Sequence, residues 1–492
     1  MMRPVETRFA MSNASTQVSP GSAPPPGAVE ITAIDTTARW PLLLLIWAGL
    51  KWLLLAGIFA LIASIQLHTP TFLSGCAWFT HGRLVALAET AFVYGWVANA
   101  GLALALWMLG RLGGSPLRAL NWTVGGTLLW NLAVAIGCVG IALGHQTSVP
   151  YFQLPRYVQP LLFAGHAAIA VAGVLAWNGR RSRMAYASQW YAAAALFLFP
   201  WLLSAAQVVL LWNPVRGVLQ PVAAGWFAQG VWTLWLAPLA LGVGYYLVPR
   251  ITGRALPSYE YASLGFWLLM FVGGLTGGRH LIGGPVPAWI PTVAIGACFV
   301  LLTHHLVIFL NLRGAFSGGG TVLRLVACGL VAYVLGGILE AVASLRGVAE
   351  VLQFTHFVTA QQQLSLYGAV SLLLFAGIYF ALPRLLGQPW PSGALAKGHV
   401  VAVSTGVALL VLSLAVAGWI QGQSLADPEI SFARIAARTR LWLVVATAAQ
   451  GLLLTGNMLL VANFVRAVCS VCCRTANADS IRQPAPMEAQ MS

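Results

Sequence analysis

The run FTHFVTAQQQLSLYG (354–368) puts three consecutive amides, Gln361, Gln362 and Gln363, inside a stretch otherwise fit for a membrane helix. An amide in hydrocarbon must find a hydrogen-bond partner, so each group of this kind is a functional candidate. The same holds for Glu89, His166, Gln229, His304, His305 and Glu340, and for Arg279 and His280 just before the turn-rich LIGGPVPAW. Buried carboxylates such as Glu89 and Glu340 can relay protons, or can sit neutral or paired with an amide. Neutral imidazoles are what a haem or copper centre inside a helical bundle would need. Of the nine histidines, only His280 lies in the outer half near other polar candidates. His304 and His305 are adjacent, hence about 100° apart on a helix, and read as packed or hydrogen-bonded rather than ligating. From spacing alone, no metal site assembles.

The elements that must position these groups are membrane helices. Hydrophobic residues make up 59% of the 492 and charged residues 8%, and the mean hydropathy is +0.81. These values exclude a soluble globular chain and a disordered one. Continuous apolar runs without period-2 alternation argue for helices over a barrel. At about 20 residues per crossing, twelve spans are predicted, near 40–66, 84–109, 119–144, 160–178, 186–212, 221–248, 259–278, 288–312, 321–344, 355–382, 397–420 and 437–466. Residues 1–39, with GSAPPPG, read as a disordered cytoplasmic tail, 40–470 as one twelve-helix domain, and 471–492 as a second cytoplasmic tail.

The net charge of +15 is carried almost wholly by arginine; loops after even-numbered spans hold Arg111, Arg118, Arg180, Arg181, Arg183, Arg250, Arg254, Arg313 and Arg384, and loops after odd-numbered spans are poorer apart from Arg434, Arg438 and Arg440. That bias reads as a topology signal with both termini in the cytoplasm, not as a nucleic-acid surface. Tryptophans near span ends, such as Trp40, Trp289 and Trp390, read as interfacial anchors. Of the seven cysteines, Cys469, Cys472 and Cys473 cluster in CSVCC, but no CxxCH haem-attachment motif is present.

Five segments carry a family resemblance: ETAFVYGWVANAGLALALWMLGRL, YASQWYAAAALFLFPWLLSAAQ, WFAQGVWTLWLAPLALGVGYYLVPR, HLIGGPVPAW and FTHFVTAQQQLSLYG. In order and over about residues 40–420, they resemble subunit I of the haem-copper oxidases. The nearest branch is the cbb-type (C-family) cytochrome c oxidase, with nitric oxide reductases as cousins. The resemblance implies an all-α fold of twelve transmembrane helices in a bacterial cytoplasmic membrane. Lipid and other respiratory-complex subunits are the implied partners.

That family holds two haems and one copper through six histidines on four helices. The resemblance puts the haem-ligand positions at Ala88, Gln361 and Gln363 and the copper-ligand positions at Gln229, Arg279 and His280. One histidine survives of the six. The family's redox tyrosine falls on Gly273, and Glu340 matches an acidic position near the haem-copper site. The expectation is therefore a non-catalytic paralogue without haem or copper. Its porphyrin spaces are expected to be partly filled by side chains and helix shifts, with Gln229, Gln361 and Gln363 bonded to one another or to water. Two alternatives stay open: an active oxidase or nitric oxide reductase subunit that recruits His81 and His356, and a proton or small-molecule conduit using Glu340 and Glu89. No inverted repeat or broken-helix pair supports a transporter.

Overall fold

The structure, a computed structural model, describes residues 27–482. Twelve helices among the described residues are long and apolar enough to cross a membrane. They are α1 (Ala28–His68), α2 (His81–Gly113), α3 (Leu120–Ala142), α4 (Gln159–Asn178), α5 (Ala187–Trp212), α6 (Leu219–Thr252), α7 (Tyr259–Leu281), α8 (Trp289–Ser317), α9 (Thr321–Ala343), α10 (His356–Leu386), α11 (Gly393–Leu425) and α12 (Phe432–Arg482). All twelve predicted spans are found.

Helix extends into both segments expected as tails, whose outer parts, 1–26 and 483–492, lie outside the described residues. Residues 28–39 form the first three turns of α1, where Ile34 and Ala38 are buried and Asp35 is 3.3 Å from Arg111. Ile31, Ile34 and Ala38 carry a helical period that the polar composition around them hides. At the other end, α12 runs on to Arg482, into the segment expected as a tail from 471.

Burial separates three helices from the other nine. The apolar cores of α2, α6 and α10 are 94%, 89% and 89% buried inside the protein, against 33–50% for the rest. A helix that is apolar all round and buried all round belongs at the centre of a bundle. These three central helices share two further features. Each contains a π-helical turn, at Ala91–Val97, Trp232–Leu236 and Leu364–Ser371. Each also ends on the pattern aromatic-x-x-x-Arg-x-x-Gly: Trp107/Arg111/Gly114, Tyr246/Arg250/Gly253 and Phe380/Arg384/Gly387. The closing glycines take left-handed φ values of 65°, 68° and 67°, the conformation that stops a helix at little steric cost only for glycine. The core is thus built on a threefold repeat.

Cross-links hold the three together. Trp96 on α2 donates its Nε1–H to Ser371 Oγ on α10 at 2.9 Å. Phe199 of α5 stacks on Trp235 of α6 with ring centroids 3.7 Å apart. His166 on α4 packs against Trp130, Phe199 and Trp235, with Nε2 3.2 Å from the Leu196 carbonyl, and so serves as a core histidine.

Candidate functional site

Ala88, Gln229 and Gln361 each lie three residues before the π turn of their own helix, at Ala91, Trp232 and Leu364. A π turn re-aims the side chains beside it, which is why such turns gather at functional sites. The three positions are therefore equivalent in the repeat, and all face cavities at the end of the bundle opposite the arginine-rich end.

Two cavities remain there. The larger, about 630 Å³, is bordered by Glu89, Gln229, Arg279, His280, Glu340 and Gln361 among others. A second, about 410 Å³, is bordered by His81, Ala88, Glu89, His356, Gln362 and Gln363. Val85, Glu89 and Gln362 belong to both walls and so form the partition. Both volumes lie within the usual range for small-molecule and cofactor pockets, roughly 300–1,000 Å³. The expected filling by side chains has not closed them.

Of the bonding expected for the three glutamines, to one another or to water, the part among themselves is not formed. Gln229 bonds instead to two charged groups. Its Oε1 accepts from Arg279 Nη1 at 3.1 Å, and its Nε2 donates to Glu340 Oε1 at 3.4 Å. The same Arg279 Nη1 lies 2.9 Å from Glu340 Oε1 and 3.3 Å from the Thr276 carbonyl. Gln361 and Gln363 border different cavities, as side chains two residues apart on a helix should. Their amides make no hydrogen bond to a described side chain.

Local backbone geometry makes the Arg279 cluster. A Cβ on Gly225 would lie 2.8 Å from the Gly277 carbonyl, so α6 and α7 touch backbone to backbone one turn from Gln229 and Arg279. Only glycine permits that approach. Gly273, one turn further along, is packed the same way: an added Cβ would meet Thr233 Cγ2 at 2.6 Å. The position matched to the family's tyrosine therefore has no room for a side chain in this packing. His280 is the outlier of the group. It borders the larger cavity but is exposed, and its carbonyl accepts from Gln353 Nε2 at 2.7 Å.

Glu89 is held from the opposite wall. Its two oxygens accept from the Tyr151 backbone N–H at 3.2 Å and from Gln153 Nε2 at 2.9 Å. Tyr151 belongs to the α3–α4 connection, which folds back over the cavity. It takes a left-handed φ of 57°, uncommon for a non-glycine residue, and its hydroxyl accepts from Gln362 Nε2 at 3.0 Å. Burial there pushes the Tyr151 phenol above its ordinary range, so it stays protonated at neutral pH. Sequence reading missed Tyr151 and Gln153. The only signal is the turn-rich SVPYFQLP between two spans, and it says nothing of a fold-back.

His304 and His305 are braces. His304 lies 2.6 Å from the Gly265 carbonyl through Nδ1 and 2.7 Å from the Tyr333 hydroxyl through Nε2. A carbonyl only accepts, so Nδ1 carries the proton and Nε2 accepts from tyrosine. His305 Nδ1 is 2.7 Å from the Leu301 carbonyl, with its ring against Gly337. No group of three or more His, Cys, Asp or Glu side chains among the described residues is arranged to hold a metal ion.

The sequence model of the family described as "Cytochrome C and Quinol oxidase polypeptide I" matches residues 41–452. Cytochrome c oxidase subunit 1 of Rhodobacter capsulatus is 23% identical over 401 residues, covering 75% of this chain and 73% of the relative. The cbb3-type cytochrome c oxidase subunit CcoN1 of Stutzerimonas stutzeri is 21% identical over 73% of this chain and 78% of the relative. A bacteroid cytochrome c oxidase subunit 1 homologue of Bradyrhizobium diazoefficiens is 20% identical over 90% of this chain and 84% of its own length. In fold, the chain superposes on a heme-copper terminal oxidase dimer solved by cryo-EM, with a TM-score of 0.66 at 14% identity. That match covers 90% of this chain and 84% of the other. With a family match over most of its length and a threefold bundle of twelve helices, the chain belongs to subunit I of the haem-copper oxidases, the cytochrome c and quinol oxidase polypeptide I family.

Proposed function

We propose that this chain is a subunit I homologue without oxidase chemistry, kept in the bacterial inner membrane, both termini cytoplasmic, as a non-catalytic partner of respiratory-complex subunits. The observation that carries the reading is the Arg279–Glu340–Gln229 cluster. Two of its three members stand at positions where the family resemblance expects copper ligands. A guanidinium there is a permanent positive charge, and it opposes a metal cation at the same place. The Gln229 oxygen that would otherwise be free is already bonded to it. The haem positions agree: Ala88 has no donor atom, and amides such as Gln361 and Gln363 are poor partners for iron. These residues do not fit the family's haem and copper, so no redox step is derived for them. Relatives named as cytochrome c oxidase subunits support a place beside other respiratory subunits.

The deciding experiment is an optical spectrum and pyridine haemochrome assay of the protein purified from native membranes, with copper analysis and dioxygen and nitric oxide uptake. Haem and copper far below one per chain, and no uptake, are expected. Stoichiometric haem overturns the proposal. A second reading has one observation in its favour: His81 and His356 border the same 410 Å³ cavity. Each lies seven residues before Ala88 or Gln363, about 10 Å along its helix. If haem is found, its loss in His81→Ala and His356→Ala identifies this displaced pair.

A further inference from the structure

At the arginine-rich end of the bundle the threefold repeat brings charge together. The rings of Trp107, Tyr246 and Phe380 meet around one axis, with centroid separations of 5.3, 6.2 and 6.0 Å. All three are buried. One helical turn beyond each ring stands an arginine. The Arg384 guanidinium lies 3.4 Å from the Phe380 centroid and that of Arg111 5.1 Å from the Trp107 centroid. Arg250 and Arg384 are exposed, and both, with Arg111, lie within electrostatic range of Tyr246. Arg39 joins them, its Nε donating to the Leu385 carbonyl at 2.6 Å. Among the described residues, the carboxylate that answers these guanidiniums is Asp35, which is 3.3 Å from Arg111 Nη2 and accepts from Trp107 Nε1 at 3.0 Å.

One arginine in the last turn of a helix is explained by the helix dipole, and Arg384 does bond the Phe380 carbonyl at 2.6 Å. The dipole does not explain three converging on one axis, where like charges repel. A second observation concerns Arg111: it is nine-tenths buried, held by Asp35 and close to the Tyr246 hydroxyl, and its enclosed Nη1 is left without a hydrogen bond. Planar guanidinium forks over an aromatic floor match the oxygens of a phosphate group.

We propose that Arg111, Arg250 and Arg384, closing the threefold axis, form a binding site for a phosphate group, supplied by an anionic lipid headgroup or by free phosphate. The site lies about 34 Å from Ala88 along α2, taking 1.5 Å per residue, and does not depend on whether the chain carries haem. Basic pockets between helices on the cytoplasmic side take anionic headgroups by the same physics. The full chain in detergent is heated with phosphatidylglycerol or phosphatidylcholine, and separately with phosphate or chloride at matched ionic strength. Native mass spectrometry counts retained lipid. Arg250→Gln/Arg384→Gln leaves the Arg111–Asp35 pair in place, and Arg118→Gln/Arg324→Gln removes equal charge elsewhere at the same end.

Protection and retention specific to phosphatidylglycerol, lost in the first variant and kept in the second, support a headgroup site. Protection by inorganic phosphate alone with the same variant pattern supports the site with free phosphate as its source. Equal loss in both variants overturns the proposal, as does a wild-type protein that distinguishes neither lipid nor anion. Should the first variant fail to fold, the wild-type comparison alone decides.

Discussion

Replacing Glu340 by glutamine tests the Arg279–Glu340–Gln229 cluster on the wall of the larger cavity. The substitution keeps the shape and an acceptor oxygen and removes only the charge. At 2.9 Å, an effective dielectric of 20 gives a gross attraction of about 6 kcal/mol, much of it offset by the desolvation of both groups. The side chains of Arg279 and Glu340 are 13% and 14% exposed, so a partner left alone is poorly compensated by water. After Glu340→Gln, Arg279 is left with neutral oxygens only, those of Gln229, Thr276 and the substituted amide. The expected loss is about 3 kcal/mol, and Arg279→Met, which strands the carboxylate, costs about 3–5 kcal/mol. The double replacement Arg279→Met/Glu340→Leu removes both charges and comes back to within about 1 kcal/mol of wild type. Apparent melting temperatures in detergent at one fixed scan rate give the ranking, because unfolding of such a protein is read kinetically. If the single variants melt with the wild type, or the double variant melts as low as the sum of the singles, the ion pair does not hold α6, α7 and α9 together.

Two further outcomes follow from the same region. Gly273→Ala must displace Thr233 and is expected to cost about 1–3 kcal/mol, while Gly296→Ala, with nothing within 4 Å, is expected to be neutral or slightly stabilising. Paired thermal melts decide it, and equal behaviour refutes the tight α6–α7 packing. Gln229→His/Arg279→His, beside native His280, removes the competing cation and presents three imidazoles. Copper analysis of the purified variant is expected to rise towards one ion per chain. An unchanged copper content means that backbone position, not side-chain identity, excludes the metal.

The twelve spans were legible because continuous apolar runs are a one-dimensional signal, and each helix overlaps its run with the ends displaced. The start of α1 was not, since Ile31, Ile34 and Ala38 are three apolar residues in a polar surround, and burial against a neighbouring helix decides the matter. Within the site, the residue types at 88, 229, 279, 361 and 363 could be read through family resemblance. Their partners could not. Arg279 and Glu340 are 61 residues apart on different helices, and no spacing rule joins them. Tyr151 reaches Glu89 and Gln362 only because its connection folds back, which is tertiary information. The threefold aromatic-x-x-x-Arg-x-x-Gly pattern was present in the letters and acquires meaning only once α2, α6 and α10 are seen at the centre.

The π turns of those three helices have a consequence for how such a protein can change. Each adds a local phase shift between the two halves of its helix, so the residues on one side need not keep rotational register with those on the other. The half beyond each turn packs the aromatic rings of Trp107, Tyr246 and Phe380 together. The half facing the cavities carries its own contacts, the Arg279–Glu340–Gln229 cluster among them. A substitution on the cavity side therefore need not carry its strain through the turn to the far half of the same helix.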